Sequence, residues 1–168
     1  MSEQIGLRAA TAADEPMLYE LYASSRQAEM HMWGWTPKQA EPFLRMQWHA
    51  RKRSYAAEFP NARDQIIVKD GKAVGRCLLA ARPTYWRLVD LALQETSRGQ
   101  GIGTSVLRIL QQRAAICGMA LRLSVSPDNP ALRLYERMGF AHKGGTEMHL
   151  FMQWLPGQDI DHMKGELR

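Results

Sequence analysis

The spacing of hydrophobic residues changes several times along the chain, and each change predicts a different element. Residues 5–8 have the pattern of a short strand, after which Thr11 and Asp14 offer capping side chains for a first helix. Helical spacing of apolar residues follows at Met17, Leu18, Leu21 and Tyr22. A second helix is predicted from Thr36, because this capping residue is followed by proline in the first turn.

The middle of the chain has the pattern of strands. Residues 65–69 and 72–79 flank the pair Asp70-Gly71, which supplies the positive φ angles that a type I′ turn requires. This arrangement predicts a β-hairpin. Residues 86–93 form another stretch of strand length.

A glycine-rich stretch, residues 98–103, separates that strand from a third helix, which is predicted to stop at Gly118. Helical intervals separate the apolar residues Ile102, Val106, Ile109, Leu110, Ala114 and Cys117. After Gly118 we predict a strand at 121–125, a helix at 129–138 and a last strand at 147–154. This order predicts an α/β fold.

Domain organisation follows from the length and the absence of internal repeats. The 168 residues suffice for one ordinary hydrophobic core, so a single domain is predicted over residues 1–155, followed by a short C-terminal tail, 156–168. With 45% hydrophobic and 23% charged residues, the composition is that of a globular domain rather than a disordered chain.

The composition also excludes several settings. No apolar run approaches the ~20 residues that cross a bilayer, and the first residues lack the pattern of a secretory signal, so we expect no membrane partner. Cys77 and Cys117 lie far apart and match no metal-ligand spacing. We therefore expect no metal site, no disulfide framework and a cytoplasmic location.

The positive charge is unevenly distributed. Subtracting 17 acidic from 22 basic residues gives +5, and residues 26–63 contribute seven basic side chains against three acidic ones. Such a field favours an anionic ligand, although a solvated helix face would give the same count. The run Arg51-Lys52-Arg53 has no recognised nucleic-acid-binding motif around it, so we expect no nucleic-acid partner.

The three glycines of residues 98–103 indicate an anion cradle. Gly99, Gly101 and Gly103 remove side chains where a ligand would approach the backbone, and the following helix points its free N–H groups there. The dinucleotide fingerprint needs glycine where this chain has Thr104, and the Gly-Lys-Ser/Thr of the nucleoside-triphosphate loop is absent.

Two motifs resemble those of one family. Arg98-Gly-Gln-Gly-Ile-Gly103 resembles the Arg/Gln-x-x-Gly-x-Gly/Ala signature of the GNAT N-acetyltransferase superfamily. The second, Asn129-Pro-Ala-Leu-Arg-Leu-Tyr-Glu-Arg-Met-Gly-Phe140, follows in the right order, 26 residues on (129 − 103), and the resemblance covers residues 88–140. It implies a single-domain, mostly antiparallel mixed sheet flanked by helices, with a splayed central strand pair. Gln100 departs from the family, which often has Lys or Arg there.

The resemblance implies acetyl-CoA as co-substrate. The loop would hold its pyrophosphate through Arg98, Gly99, Gln100, Gly101, Ile102, Gly103 and Thr104. The strand before the loop would bind the pantetheine arm and the acetyl carbonyl through the main chain of Leu91, Ala92 and Leu93. Asn129 resembles a residue of the second pantetheine wall, with a role as N-cap alone as the alternative.

N-acetyl transfer needs a base, an oxyanion site and a proton donor for the leaving thiolate. Tyr135 is the candidate acid, with packing against Phe140 as the alternative. Main-chain N–H groups of residues 91–93 are the candidate oxyanion site. Asp90 is the candidate base, on the strand where many family members carry an acidic residue.

The acceptor side is assigned to the segment between the first two helices, which lines the acceptor site in this family. Glu29 and His31 are rival bases there, and Trp33 and Trp35 are either pocket walls or core or staple residues. An apolar wall in a positive segment favours a small amine or amino-acid-like acceptor over a polycation. The predicted function is N-acetyl transfer to a primary amine by direct attack in a ternary complex. A non-catalytic acyl-CoA-binding regulatory module is the alternative, and a homodimer is left open.

Overall fold

One seven-stranded sheet organises the molecule, a computed structural model in which residues 4–157 are described. The strands are β1 Ile5–Ala9, β2 Ala62–Lys69, β3 Lys72–Ala81, β4 Tyr85–Leu93, β5 Ala120–Val125, β6 Ala141–Gly145 and β7 Leu150–Trp154. The helices are α1 Glu15–Met32, α2 Pro37–Glu58, α3 Ile102–Ile116 and α4 Ala131–Arg137, with 3-10 turns at Ala12–Asp14 and Glu95–Ser97.

The strands lie in the order β1-β2-β3-β4-β5-β7-β6. β4 and β5 run parallel, and the other neighbouring pairs run antiparallel. The connection between the two parallel strands contains α3, as a parallel crossover requires. The predicted mixed, mostly antiparallel sheet with flanking helices is confirmed.

Local signals determine several element ends as predicted. Thr36 accepts a hydrogen bond from the Gln39 main chain at 3.2 Å, and the Gln39 side chain accepts one from Thr36 N at 3.0 Å. This capping box starts α2. Asp70 and Gly71 have φ angles of 49° and 84°, which makes the β2–β3 turn the predicted type I′ turn.

The sheet separates two hydrophobic cores. On one face, α3 and α4 pack against strands through residues that include Cys77, Leu88, Val106, Leu110, Leu123, Tyr135 and Trp154. On the other face, α1 and α2 pack over Ile66 through residues that include Leu18, Tyr22, Leu44 and Trp48. Two-sided cover explains why Ile66 and Ile67, neighbours that point to opposite faces, are both fully buried.

Most of the basic segment is paired with acidic residues. The ion pairs are Arg26–Glu29, Arg45–Glu41, Arg51–Asp90 and Lys52–Glu15. These contacts favour the solvated-face interpretation for much of the segment, because a cation that is already paired attracts an anion less strongly.

The C-terminal strands differ from the prediction. β6 was not predicted as a strand of its own, and residues 147–149 lie in a turn rather than in the last strand. β6 is exposed along its whole length, so it carries no hydrophobic pattern. Of the predicted tail, residues 158–168 lie outside the described part.

Two global features concern partners and metals. None of the helices between residues 4 and 157 has the length and apolarity needed to cross a bilayer. The same residues contain no cluster of His, Cys, Asp or Glu side chains that could hold a metal ion.

Candidate functional site

A gap between the two parallel strands lies at the centre of the sheet. β4 and β5 are paired from Tyr85 opposite Ala120 to Leu88 opposite Leu123, and they separate beyond that point. On the side away from β3, the rest of β4 has no strand partner among residues 4–157, so the main-chain groups there are open to a ligand. The predicted splayed strand pair is confirmed.

A β-bulge marks the point where the gap begins. Leu79 pairs with Leu88 and Leu78 pairs with Asp90, which leaves Val89 as an extra residue in β4. A bulge bends its strand and increases its twist. It thus turns the end of β4, including Asp90 and residues 91–93, away from β5.

The glycine loop has the geometry of an anion cradle. Gly99 and Gly101 have φ angles of 73° and 79°, and a Cβ on either would meet no atom within 4 Å. Gly101 is the N-cap of α3. The six main-chain N–H groups of residues 99–104 donate to no acceptor among the described residues. The positive end of the α3 helix dipole lies at the same place and also favours an anion.

Gly103 has a packing role in addition. A Cβ at this position would lie 3.0 Å from Leu134 Cδ2, so glycine lets α3 approach α4 closely. The third glycine of the motif therefore has a structural reason of its own.

Two basic side chains border the loop. Arg98 Nε donates to the Leu93 carbonyl at 3.4 Å, which joins the loop to the end of β4. Lys69 Nζ, at the end of β2, donates to Gln100 Oε1 at 2.7 Å. Lys69 thus brings a cation to the place where the family often has Lys or Arg. Sequence reasoning missed it because Lys69 lies 31 residues before Gln100.

Asp90 lies in a cluster of charged side chains on β2, β3, β4 and α2. Its Oδ2 is 3.6 Å from Arg51 Nη2 and 3.7 Å from Arg76 Nη1. Arg76 also donates to both oxygens of Asp64, at 2.8 and 3.0 Å. Burial alone would lower the pKa of Arg76, but the hydrogen bond with Asp64 and the charges of Asp64 and Asp90 outweigh it and raise that pKa. Arg76 therefore stays charged and holds both carboxylates in place.

Tyr135 combines a packed ring with an unengaged hydroxyl. The ring lies edge-on to Phe140, with centroids 5.8 Å apart, and the residue is 7% exposed. Its hydroxyl has no hydrogen-bond partner among the described residues. Burial, then the charges of Asp90 and Cys77, raises the pKa of Tyr135 to about 12. Core packing and a proton-donor role are therefore compatible.

Asn129 acts at the start of α4. Its Oδ1 accepts a hydrogen bond from Ala131 N at 2.9 Å. Asn129 therefore makes the capping contact that was the alternative to a role in binding pantetheine. The contact involves the side-chain oxygen. The side-chain NH₂ group remains a donor for a ligand at the same helix end.

The predicted acceptor residues lie around the junction of α1 and α2. Arg26 Nε donates to Glu29 at 2.8 Å, and His31 is exposed. Trp33 and Trp35 form an aromatic cluster with Phe43, with centroid distances of 5.2 to 6.3 Å.

The two indoles of the aromatic cluster lie outside both cores, whereas Phe43 packs against the core under α1 and α2. Trp33 is 53% and Trp35 38% exposed, so these rings are not core residues, and the staple interpretation stays a prediction. Along α2, Phe43 is eight residues from Arg51, or about 12 Å at 1.5 Å per residue. The cluster therefore lies at the outer end of α1 and α2, away from the gap.

Comparison with known proteins decides the family. The model of the acetyltransferase (GNAT) family matches residues 16–140, which is most of the chain and includes both motifs. The chain belongs to the GNAT acetyltransferase family. The resemblance inferred from residues 98–103 and 129–140 is thereby confirmed.

A curated relative matches part of this GNAT protein. The L-2,4-diaminobutyric acid acetyltransferase of Nocardia farcinica (strain IFM 10152) is 41% identical over 81 residues, covering 46% of this chain and 42% of the relative. The chain thus matches less than half the length of that protein.

Solved structures share the fold. The PaiA N-acetyltransferase of Thermoplasma acidophilum, in complex with coenzyme A, has a TM-score of 0.67 at 17% identity, with 90% of this chain and 99% of the other covered. An aminoglycoside acetyltransferase in complex with coenzyme A has a TM-score of 0.66 at 22% identity, covering 96% and 99%. At identities of 17% and 22%, these structures show that the fold is shared and nothing further.

Proposed function

We propose that this GNAT protein is an acetyl-CoA-dependent N-acetyltransferase that acetylates a primary amine of a small, amino-acid-like molecule in a ternary complex. One observation carries the proposal: the six main-chain N–H groups of residues 99–104, which have no acceptor among the described residues, lie in the loop that follows the open edge of β4. The first feature suits a pyrophosphate and the second an extended amide-containing arm.

The cradle and the gap give each part of acetyl-CoA a partner. The N–H groups of residues 99–104 would bind the pyrophosphate, with Arg98 and Lys69 adding positive charge. The open edge of β4 at residues 91–93 would bind the pantetheine amides, with Asn129 on the opposite side of the gap.

The reaction would proceed by direct attack of the amine nitrogen on the thioester carbonyl carbon. A C–N bond forms, the C–S bond breaks, and the electron pair leaves on sulfur. Main-chain N–H groups of residues 91–93 would stabilise the oxyanion, since backbone donors are preorganised. Asp90 would accept the proton that the attacking nitrogen loses, directly or through water.

Tyr135 would act on the leaving sulfur as a hydrogen-bond donor. With its pKa raised to about 12, the phenol stays protonated throughout the physiological range. A thiol has an ordinary pKa of about 8.5, so full transfer of the phenolic proton to the thiolate would be uphill by roughly 5 kcal/mol. A hydrogen bond to the developing thiolate avoids this cost, and the proton released by the amine balances the reaction.

The acceptor would be a small molecule that carries a carboxylate as well as an amine. The Nocardia relative is named for acetylation of diaminobutyric acid, a molecule of this class. Trp33 and Trp35 would form the outer wall of the acceptor entrance, and Glu29 and His31, in the last turn of α1, would line the same entrance rather than contact the bound acceptor. The exposure of both indoles supports this role.

The deciding experiment is a screen of amines, amino acids and peptides for release of free CoA thiol. An active enzyme shows amine-dependent thiol release in which the acetylated amine appears in equal amount. Stabilisation by acetyl-CoA without turnover on any amine would instead identify a non-catalytic acyl-CoA-binding module. Asp90→Asn tests the proposed base. Asp70→Asn, in the β2–β3 turn, is the matched control for the loss of one carboxylate.

Three further properties belong to the proposal. Both cysteines are free, which supports a reducing cytoplasmic setting. A homodimer is a prediction that light scattering of the purified protein checks. Absence of nucleic-acid binding is checked by a gel-shift assay at low salt, where a basic protein binds most strongly.

A further inference from the structure

A cavity of about 470 Å³ opens on the sheet face opposite α3 and α4, over β4, β5 and β7. Its lining consists of Tyr85, Arg87, Arg122, Leu123, Lys143, Phe151, Met152 and Gln153. Three of these side chains are cationic and none is acidic. The proposed reaction has not used any of them.

Two cationic side chains of this basic cavity lie on directly paired residues although like charges repel each other. Arg87 lies directly opposite Arg122 on the neighbouring strand, a placement that destabilises a sheet when the charges are alike. Arg87 Nε is buried and has no partner among the described residues. Arg122 donates to Gln153 at 2.8 Å and lies over the Tyr85 ring at 4.1 Å, which fixes its guanidinium. An anion in the cavity would relieve the repulsion between the two guanidinium groups.

The basic cavity borders the gap where the reaction is proposed to occur. Leu123, which lines the cavity, is the last residue of β5 that pairs with β4. Arg87 immediately precedes Leu88, the last paired residue of β4. A ligand in the cavity would therefore reach the gap directly.

The bulge places Arg87 and Asp90 on one face of the sheet. Their partners on β3 are Ala80 and Leu78, which are two residues apart and so point to the same side. Two residues of strand span about 7 Å. A cationic pair and a carboxylate thus face the same space at a separation that an amino acid with a side-chain amine would span.

We propose that the basic cavity is the carboxylate subsite of the acceptor: Arg87 and Arg122 bind the acceptor carboxylate, with Lys143 adding charge, while the reacting amine lies beside Asp90. This inference rests on the proposed N-acetyltransferase function. It restricts the acceptor to amino acids, or short peptides, in which several atoms separate amine and carboxylate.

The test compares each acid with its own carboxamide. The probes are L-2,4-diaminobutyrate, L-ornithine and L-lysine and their amides, assayed with the wild type, Arg122→Gln, Arg87→Gln and Arg53→Gln. Arg53 is an exposed arginine on α2 outside the cavity, so it controls for the loss of one charge. We expect the wild type to prefer at least one acid over its amide, because hydrogen bonds to charged groups discriminate strongly.

The cavity variants should raise KM for the preferred acid by roughly 10- to 100-fold. KM for the amide, KM for acetyl-CoA, and all values for Arg53→Gln should remain unchanged. Equal use of acids and amides by the wild type, or an equal rise for both in Arg122→Gln, would overturn the subsite.

Calorimetric binding of the same acid–amide pairs, with CoA present, separates this inference from the proposed function. If the protein binds an acid more tightly than its amide, loses this preference in Arg122→Gln and turns over neither, the subsite is upheld and the proposed enzymatic function is rejected. Turnover of amides and acids alike would uphold the enzyme and reject the subsite.

Discussion

Valine in place of Gly101 should abolish the stabilisation by acetyl-CoA. The residue has a φ of 79° at the N-cap of α3, and the space where a side chain would project is empty for 4 Å. Valine would fill that space, which is where the pyrophosphate is proposed to contact residues 99–104. The substitution therefore removes access to the cradle.

The same change also costs stability in the absence of ligand, so a control is needed. A left-handed backbone costs a non-glycine residue roughly 1–2 kcal/mol, which at about 2–4 °C per kcal/mol lowers Tm by roughly 2–8 °C. Gly118 has a φ of 68°, lies just beyond the other end of α3, and would likewise meet no atom within 4 Å. Gly118→Val carries the same strain without obstructing the cradle.

The assay is thermal unfolding with and without acetyl-CoA. At a hundred times Kd, a ligand bound only by the folded state adds about 2.7 kcal/mol. That corresponds to roughly 5–11 °C in a domain of this size. The wild type and Gly118→Val should show this rise and Gly101→Val should show none. An undiminished rise in Gly101→Val would remove the loop from the binding site.

Four other changes test separate parts of the structure. Tyr135→Phe should lower kcat on the order of 10²–10³-fold, the loss typical of one hydrogen-bond donor to developing negative charge, without weakening acetyl-CoA binding, and an unchanged kcat would leave the ring a purely core residue. Trp33→Ala should raise the acceptor KM and leave Tm nearly unchanged because the ring is exposed; unfolding would contradict this. Thr36→Ala should lower the free energy of unfolding by about 1 kcal/mol in denaturant titrations, through loss of the α2 cap. The hydrogen bond from Arg8 lowers the pKa of Asp14, so its contribution is complete above about pH 4 and is lost as pH falls through the lower folded value. The Tm difference between wild type and Asp14→Asn should therefore shrink below pH 4, and a constant difference would show that the carboxylate charge is not involved.

Signals carried by adjacent residues were sufficient to predict part of the fold and the site. Asp70-Gly71 and Thr36 determine the hairpin turn and the start of α2, because turn and cap chemistry depend on one or two positions. The glycine motif predicts the cradle for the same reason. The family motif added the splayed strands, which no local pattern of residues 86–93 indicates.

Features that depend on pairing between distant segments could not be predicted. The bulge at Val89 exists only in relation to the register of β3. The approach of Lys69 to the loop and the opposition of Arg87 and Arg122 depend on which strands become neighbours. The exposure of Trp33 could not be predicted either, because the sequence does not show whether other residues cover a large apolar side chain.

The division of the hydrophobic residues by the sheet has a consequence for how new specificities could arise. Among the described residues, the core under α1 and α2 has no member in common with the core that holds α3 and its loop. Stability changes at sites without shared partners usually add. Random libraries confined to residues 15–58 should thus vary the proposed acceptor entrance while each variant keeps its affinity for acetyl-CoA. Stabilising changes selected in α3 or α4 should offset the lost stability without altering the evolved preference for an acceptor.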